Sequence, residues 1–238
     1  MKRFTAILSL VVLVSVTGFS VPNTFDNDFE KSNKEFNDYV FLLRNAWNYL
    51  DNNTVSTVKI YSNNTLVNTI AIPTGSTKDI TFDKIFKKIY FGTQKITKIK
   101  MYSLKGTINN IDIVNNSLLT LNSSKLEKFQ KNHLKYLNAH KLIQHNRGNV
   151  DMDQRIEEVD MDYQGIFAEN IAASICNPIS TERERIMVTL KKYYTYRTKT
   201  QHFNELMSLD YKFYTTRFLQ DGDTVYSLTV MTNYKLTK

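Results

Sequence analysis

Apolar and polar residues alternate with two different periods along this chain, and each change of period marks a new element. From Phe36 to Leu50, apolar residues return every three to four positions, which predicts an amphipathic helix over 30–50. Beyond this helix, β-branched runs separated by polar turn signals predict strands. The runs lie at 55–60, 66–72, 95–102 and 107–114, and a short helix is predicted at 82–90. The first half of the chain is therefore predicted to be an α+β region.

The second half carries two longer helical patterns and ends in a hairpin. In the predicted capping box, Ser124 and Glu127 satisfy free backbone donors reciprocally at the start of a helix. Two helices that each open in such a box are predicted at 124–143 and 181–196, and two strands at 211–219 and 224–234. Asp221-Gly222 between the strands is a strong two-residue turn signal, so the strands are predicted to pair with each other.

A polar stretch, Asn115-Asn116-Ser117, separates these two halves. We expect residues 21–115 to contain the N-terminal helix and the strand-rich region, and residues 116–238 to form a second unit. With 42% hydrophobic and 12% aromatic residues, the chain has enough apolar side chains to bury a core. The fold class predicted for the whole protein is α+β.

The first twenty residues have the three-part layout of a secretory signal peptide. Lys2 and Arg3 precede an apolar run from Ala6 to Val16, and small residues follow at Gly18 and Ser20. The run is shorter than the roughly 20 residues that span a membrane comfortably. We therefore expect residues 1–20 to be removed, and the mature chain to be secreted or held at the cell surface without a transmembrane span. An uncleaved membrane anchor is the alternative.

Charge and cysteine content narrow the expected partners. Removal of Lys2 and Arg3 with the signal peptide lowers the formal charge from +8 to +6, and a basic exported protein favours anionic surfaces. Nucleic acid is not an expected partner, because the chain is exported and has no recognition motif. Cys176 is the only cysteine, so the chain cannot form an intramolecular disulfide.

From residue 118 onward, several short motifs occur in the order found in one known family. The motifs are Gln144-His145, Arg155, Ala168-Glu169-Asn170-Ile171-Ala172 and Gln201-His202, followed by the hairpin. This order resembles the CAP superfamily (cysteine-rich secretory proteins, antigen 5 and pathogenesis-related proteins), especially its cysteine-poor bacterial branch. The resemblance covers residues 118–238, about half of the chain. Tyr196 stands where the branch has a helix Trp, and Lys199 where it often has a Ser.

The resemblance implies a three-layer α-β-α sandwich for residues 116–238, preceded by the smaller strand-rich region. The resemblance does not identify which residues correspond to the first helix of the family. Residues 30–50 could be that helix, with 54–114 inserted after it, or 21–114 could be a separate domain.

The resemblance also implies one polar cleft that contains His145, Glu169 and His202. Two imidazoles from different segments can ligate zinc or another divalent metal, so His145 and His202 are candidate metal ligands. Glu169 can act as a third ligand, fix a ring tautomer or support general-base chemistry. A purely structural hydrogen-bond network is the alternative. His133 and His140 are interpreted as residues of one helix face.

We expect an exported, non-enzymatic binding module that takes a lipid, a glycan, a divalent metal or a protein partner in this cleft. Two alternatives stay open, a metal-assisted hydrolase that uses the same cleft and a structural protein of the surface or wall. No cofactor other than a divalent metal is indicated.

Overall fold

The computed structural model describes residues 24–25, 29–114, 116, 118–121, 123–162 and 165–234. The predicted signal peptide, residues 1–20, lies outside them. The described helices are α1 (Phe29–Asn52), α2 (Lys78–Phe91), α3 (Ser124–His140), α4 (Met152–Glu157), α5 (Glu182–Thr195) and α6 (His202–Met207). The described strands are β1 (Thr24–Phe25), β2 (Val55–Ser62), β3 (Thr65–Ala71), β4 (Lys98–Ser103), β5 (Ile108–Asp112), β6 (Phe167–Ile175), β7 (Phe213–Asp221) and β8 (Thr224–Thr232). The predicted α+β class is confirmed.

The strands form two antiparallel sheets. Sheet A has the order β1-β7-β8-β6, and sheet B has the order β3-β2-β4-β5. The predicted hairpin is present as β7 and β8, but its two-residue loop is Gly222-Asp223, because Asp221 pairs with Thr224. The predicted loop at Asp221-Gly222 is thus wrong by one position, and Gly222 adopts the positive φ of 58° that the first loop residue requires.

Helices contact both faces of sheet A. Along β8, Val225 and Met231 join the apolar cluster that also contains residues of α1, α5 and α6. The intervening Tyr226 and Leu228 join a second cluster with α3 and α4. Because successive side chains of a strand point to opposite faces, β8 lies between two layers of buried apolar side chains. Sheet B contributes one face to the first cluster, through residues such as Ile99.

The outer edge of β7 is covered along most of its length. The backbone N–H of Tyr214 donates to Leu119 O at 2.9 Å, where the chain runs beside the strand. Farther along, Asn33 Oδ1 of α1 accepts from the N–H of Thr216 at 2.7 Å. The strand β1 then pairs with the last part of β7. Helix α1 therefore completes the edge of the sheet with a side chain as well as packing on its face.

The two predicted capping boxes have different outcomes. Thr181 and Glu184 cap each other's backbone at the start of α5, as predicted. Helix α3 instead begins after Ser123, whose side chain makes no capping bond, so the box predicted at Ser124 is wrong. The strand β6 was not predicted as an element, although it carries the Glu-Asn-Ile-Ala string.

Candidate functional site

The three residues predicted to share a cleft come together at the start of β6. His145 lies in the loop after α3, Glu169 lies on β6, and His202 is the first residue of α6. The centroids of the two imidazole rings are 5.5 Å apart. His145 Nδ1 lies 3.1 Å from Glu169 Oε1. Residues separated by 24 and 57 positions in the sequence are thus neighbours here, as the motif order implied.

A buried ion pair fixes Glu169. The Arg155 guanidinium donates from Nη1 to Oε1 at 3.1 Å and from Nη2 to Oε2 at 2.5 Å, which is a bidentate pair. Both side chains are almost fully buried. Burial raises the pKa of Glu169, but hydrogen bonds from His145 and Arg155 outweigh it and hold the pKa below its usual value. Arg155 also donates to the backbone oxygen of His145, so one side chain positions the carboxylate and the loop.

Each imidazole of the pair is held through its Nδ1 atom. The ionised Glu169 can only accept, so His145 donates from Nδ1. His202 Nδ1 lies 2.8 Å from Asn170 Oδ1, and Asn170 Nδ2 donates to the backbone oxygen of His202 at 2.8 Å, which fixes the orientation of the amide. In its neutral form, each ring therefore carries the proton on Nδ1 and keeps the lone pair on Nε2. This tautomer is the one found when Nε2 ligates a metal.

A solvent-accessible cavity of about 280 Å³ opens beside His202. It is lined by Ile143, Ile171, Ala172, Ala173, Lys192, Tyr193, Tyr196, Thr200 and His202. Burial raises the pKa of the Tyr193 hydroxyl to about 12, so this group stays protonated at neutral pH. The His145 side chain is 47% exposed and the His202 side chain 23% exposed. The two rings therefore face solvent while the groups that hold them are buried.

The two histidines of α3 both lie beside Tyr136 of the same helix, but their surroundings differ. His133 is fully buried and donates from Nε2 to Gln144 O at 2.9 Å, in the loop that leads to His145. Burial lowers the pKa of His133 to about 4, so its ring is neutral at pH 7. His140 is exposed. Lys199 is exposed as well, with Nζ 5.9 Å from the centroid of the Tyr196 ring.

The donor set for a metal is incomplete. Within the part of the chain that the structure describes, no group of three or more His, Cys, Asp or Glu side chains is arranged to hold a metal ion. Both oxygens of Glu169 accept from Arg155, and one also accepts from His145. Glu205 Oε2 lies 3.9 Å from His202 Nδ1, and of the three predicted residues His202 alone lines the cavity described above. Two imidazoles without a third ligand arranged beside them do not form a closed zinc site.

Sequence reasoning missed the roles of two residues. Arg155 and Asn170 were seen only as parts of the motifs, whereas they fix Glu169 and His202. The signal available for Arg155 was a single positive charge inside the acidic stretch 151–160, because a cation among carboxylates is often paired. For Asn170 no signal in the sequence identifies the partner.

No protein-family model, curated protein or solved structure matches this chain. Among the described residues, none of the helices is both long and apolar enough to cross a bilayer.

Proposed function

We propose that this protein is an exported, non-enzymatic CAP-like binding module whose ligand contacts His145 and His202. The observation that carries the proposal is that each ring is held at Nδ1 by a buried side chain while the imidazole itself is partly exposed. The order of the motifs from His145 to His202 and the helices on both faces of sheet A support a three-layer α-β-α arrangement of the CAP type.

The contacts of α1 favour the alternative in which it is the first helix of this unit. Asn37 Nδ2 donates to Tyr214 O at 3.1 Å, and Asn33 accepts from the backbone of Thr216. Arg44 Nη1 donates to Tyr214 Oη at 3.1 Å. A helix that shares hydrogen bonds with β7 over three turns belongs to the same core as the strand. We therefore propose that residues 54–114, which include sheet B, are an insertion after α1.

The state of Glu169 favours binding over catalysis. A general base that works near neutral pH needs a pKa near that pH and a free oxygen that can reach a proton. Glu169 has a lowered pKa, lies beneath the rings and shares both oxygens with Arg155. Its position supports a role in orienting His145.

Zinc titration by calorimetry tests the proposed ligand-binding role. The wild-type protein is compared with the His145→Ala, His202→Ala double variant and with His140→Ala, which removes an exposed histidine elsewhere. We expect the double variant to bind zinc at least about tenfold more weakly, a change of about 1.4 kcal/mol. His140→Ala should bind like wild type. Equal zinc binding by all three proteins would show that the two rings are not metal ligands.

A hydrolase that uses the same cleft makes a different prediction. Its activity toward a generic ester should vary with pH and disappear in Glu169→Gln, provided that circular dichroism shows the variant to be folded. We expect no such activity in the wild-type protein. If the wild-type protein has a pH-dependent activity that Glu169→Gln abolishes, the protein is a hydrolase and the non-enzymatic proposal is wrong.

One observation favours attachment to a surface as a second role. On the outer face of sheet B, Lys59 and Lys100 are directly opposite each other, an arrangement that repulsion disfavours. Each Nζ lies over a tyrosine ring, at 5.2 Å and 5.5 Å, and no described carboxylate pairs with either lysine. We propose that this face binds an anionic surface polymer. Retention of wild type on an immobilised polyuronate, and its loss in Lys59→Glu, Lys100→Glu, would support this role, whereas equal retention would contradict it.

A further inference from the structure

The two edges of sheet A differ in how completely their backbone groups are paired. The outer edge of β7 is covered by β1, by the chain near Leu119 and by Asn33. At the opposite edge, no described residue pairs with the backbone of β6 between Ile171 and Ile175. Natural sheets protect such an edge with lysine, proline, a bulge or a covering segment. Residues 170–175 read Asn-Ile-Ala-Ala-Ser-Ile and contain none of the protecting residue types.

The pairing with β8 shows which backbone groups of β6 point outward. The N–H of Cys176 donates to Asp223 O at 2.7 Å, so Cys176 faces the hairpin. Because the direction of these groups alternates along an antiparallel strand, the N–H and C=O of Ile171, Ala173 and Ile175 point away from β8. Ile175 is exposed and Ala173 is half-buried, so their donor–acceptor pairs are available to an additional strand, whereas Ile171 is buried.

Two adjoining cavities show that this edge is open to solvent. The cavity beside His202 reaches Ile171, Ala172 and Ala173, and a second cavity of about 330 Å³ continues along Ala173, Ser174 and Ile175. Each cavity is lined by consecutive residues of β6, whose side chains alternate between the two faces. Both cavities therefore include the edge itself. Together they form a groove between β6 and the C-terminal half of α5.

The wall of the groove on the α5 side is basic. Lys191 and Lys192 line it, and Lys199 Nζ lies 5.9 Å from the ring of Tyr196, which also lines it. The Nζ atoms of Lys191 and Lys192 lie 4.8 Å and 4.7 Å from the ring centroids of Tyr90 and Tyr196. No described carboxylate pairs with any of the three lysines. The aromatic rings orient the lysines, and the charges remain available to an anionic partner.

We propose that β6 binds an extended acidic peptide segment as a fifth strand of sheet A. Backbone hydrogen bonds at Ala173 and Ile175 supply the pairing, as in other cases of strand addition. Alternate side chains of the peptide enter the two cavities, and its carboxylates pair with Lys191 and Lys192. This inference rests on the binding role proposed above, because the groove begins at His202, and it specifies a protein partner for that role.

Fluorescence anisotropy with a labelled nine-residue peptide of alternating valine and glutamate tests the proposal. The full mature chain is titrated into the peptide and into the same peptide methylated on every backbone nitrogen. We expect saturable binding of the first peptide and loss of binding of the N-methylated one, because methylation removes the donors that a strand needs. Equal binding of both peptides would overturn strand addition.

Two variants locate the site. Ala173→Pro removes an outward N–H that the ladder with β8 does not use, so the fold is retained and peptide binding is lost. Lys191→Glu, Lys192→Glu should weaken binding at least about tenfold. Lys128→Glu, Lys135→Glu on α3 makes the same change of charge on exposed residues of the other side, and it should leave binding within about twofold of wild type. Equal losses in both charge variants would overturn the assignment to this groove.

The remaining outcomes are also decisive. If sedimentation shows a dimer that Ala173→Pro abolishes, and the peptide does not bind, a second copy of the chain occupies the edge and the acidic-peptide assignment is wrong. If the peptide does not bind while zinc binding still depends on His145 and His202, this inference fails and the proposed function stands. If the peptide binds and zinc does not, the metal role fails alone.

Discussion

Two buried polar clusters lie at opposite edges of sheet A, and their hydrogen bonds end in different places. At the edge of β7, Asn33 and Asn37 of α1 are fully buried and bond to the backbone of the strand. The remaining amide atoms, Asn33 Nδ2 and Asn37 Oδ1, have no described partner, but both are buried and cannot reach a ligand in solvent. This cluster is a structural connection between a helix and a strand.

The cluster at β6 ends at the surface instead. Glu169 and Asn170 are as well buried as the asparagines of α1, but each holds an imidazole whose other nitrogen points away from it. The comparison shows that burial of polar residues does not by itself separate structural clusters from candidate sites. What separates them is whether the last group of the hydrogen-bond chain is a backbone atom in the core or an exposed side-chain atom.

Removal of Arg155 should have the largest effect, because it breaks the buried part of the β6 cluster. Arg155→Met leaves Glu169 as an uncompensated buried charge, and such losses cost about 3–5 kcal/mol. Urea denaturation of the variant measures the cost. Arg147→Met removes a pair with the partly exposed Glu158, so it should cost less than about 1 kcal/mol. Equal losses in the two variants would show that burial of the Glu169 pair does not matter.

Acid should weaken the same cluster through His133. Burial lowers the pKa of this ring to about 4 in the folded protein, whereas an unfolded histidine titrates near 6.5. The unfolded chain therefore binds more protons between these two values, and stability falls as the pH falls from about 6.5 to 4. The expected contribution is about 2–3 kcal/mol. His133→Gln should reduce the slope of unfolding free energy against pH in this window. An unchanged slope would assign the acid sensitivity to other groups.

At the β7 edge, Asn37→Ala should have an intermediate effect. The substitution removes the donor to Tyr214 O and to Thr120 Oγ1 in a buried place, which costs about 1–2 kcal/mol. Asn45→Ala is the matched control on the same helix, because Asn45 donates only to Phe41 O one turn earlier. The free energy of unfolding, measured by thermal denaturation, should fall detectably in Asn37→Ala. It should change by less than about 0.5 kcal/mol in Asn45→Ala. A similar shift for both would mean that α1 and β7 are not coupled through Asn37.

The sequence was most informative where the determining interactions are local. Apolar periodicity predicted α1 and α2, the β-branched runs predicted β2 to β5, and the box at Thr181 opens α5 as expected. Local signals also produced the errors of one position at Ser124 and at Gly222, because neighbouring residues of similar type compete for the same cap or turn. Element boundaries depend on such competition more than element existence does.

The candidate site depended on interactions that the sequence does not specify. Motif order suggested that His145, Glu169 and His202 meet, and they do. The partners of these residues are set by the distances across the sheet, so the bidentate contact of Arg155 and the amide of Asn170 became visible only in the structure. The strand β6 was missed because its alternate faces are both covered, which gives a run of small and apolar residues without a period of two.

The smallest expected effect on stability is that of His145→Ala, and it tests the comparison most directly. The ring is 47% exposed, and its loss leaves Glu169 paired with Arg155, so the free energy of unfolding should change by less than about 1 kcal/mol. Zinc binding should nevertheless weaken. If the variant is as stable as wild type but binds zinc more weakly, His145 contributes to ligand binding and not to the stability of the β6 cluster. A loss as large as that of Arg155→Met would instead make the β6 cluster structural throughout, like the asparagines of α1.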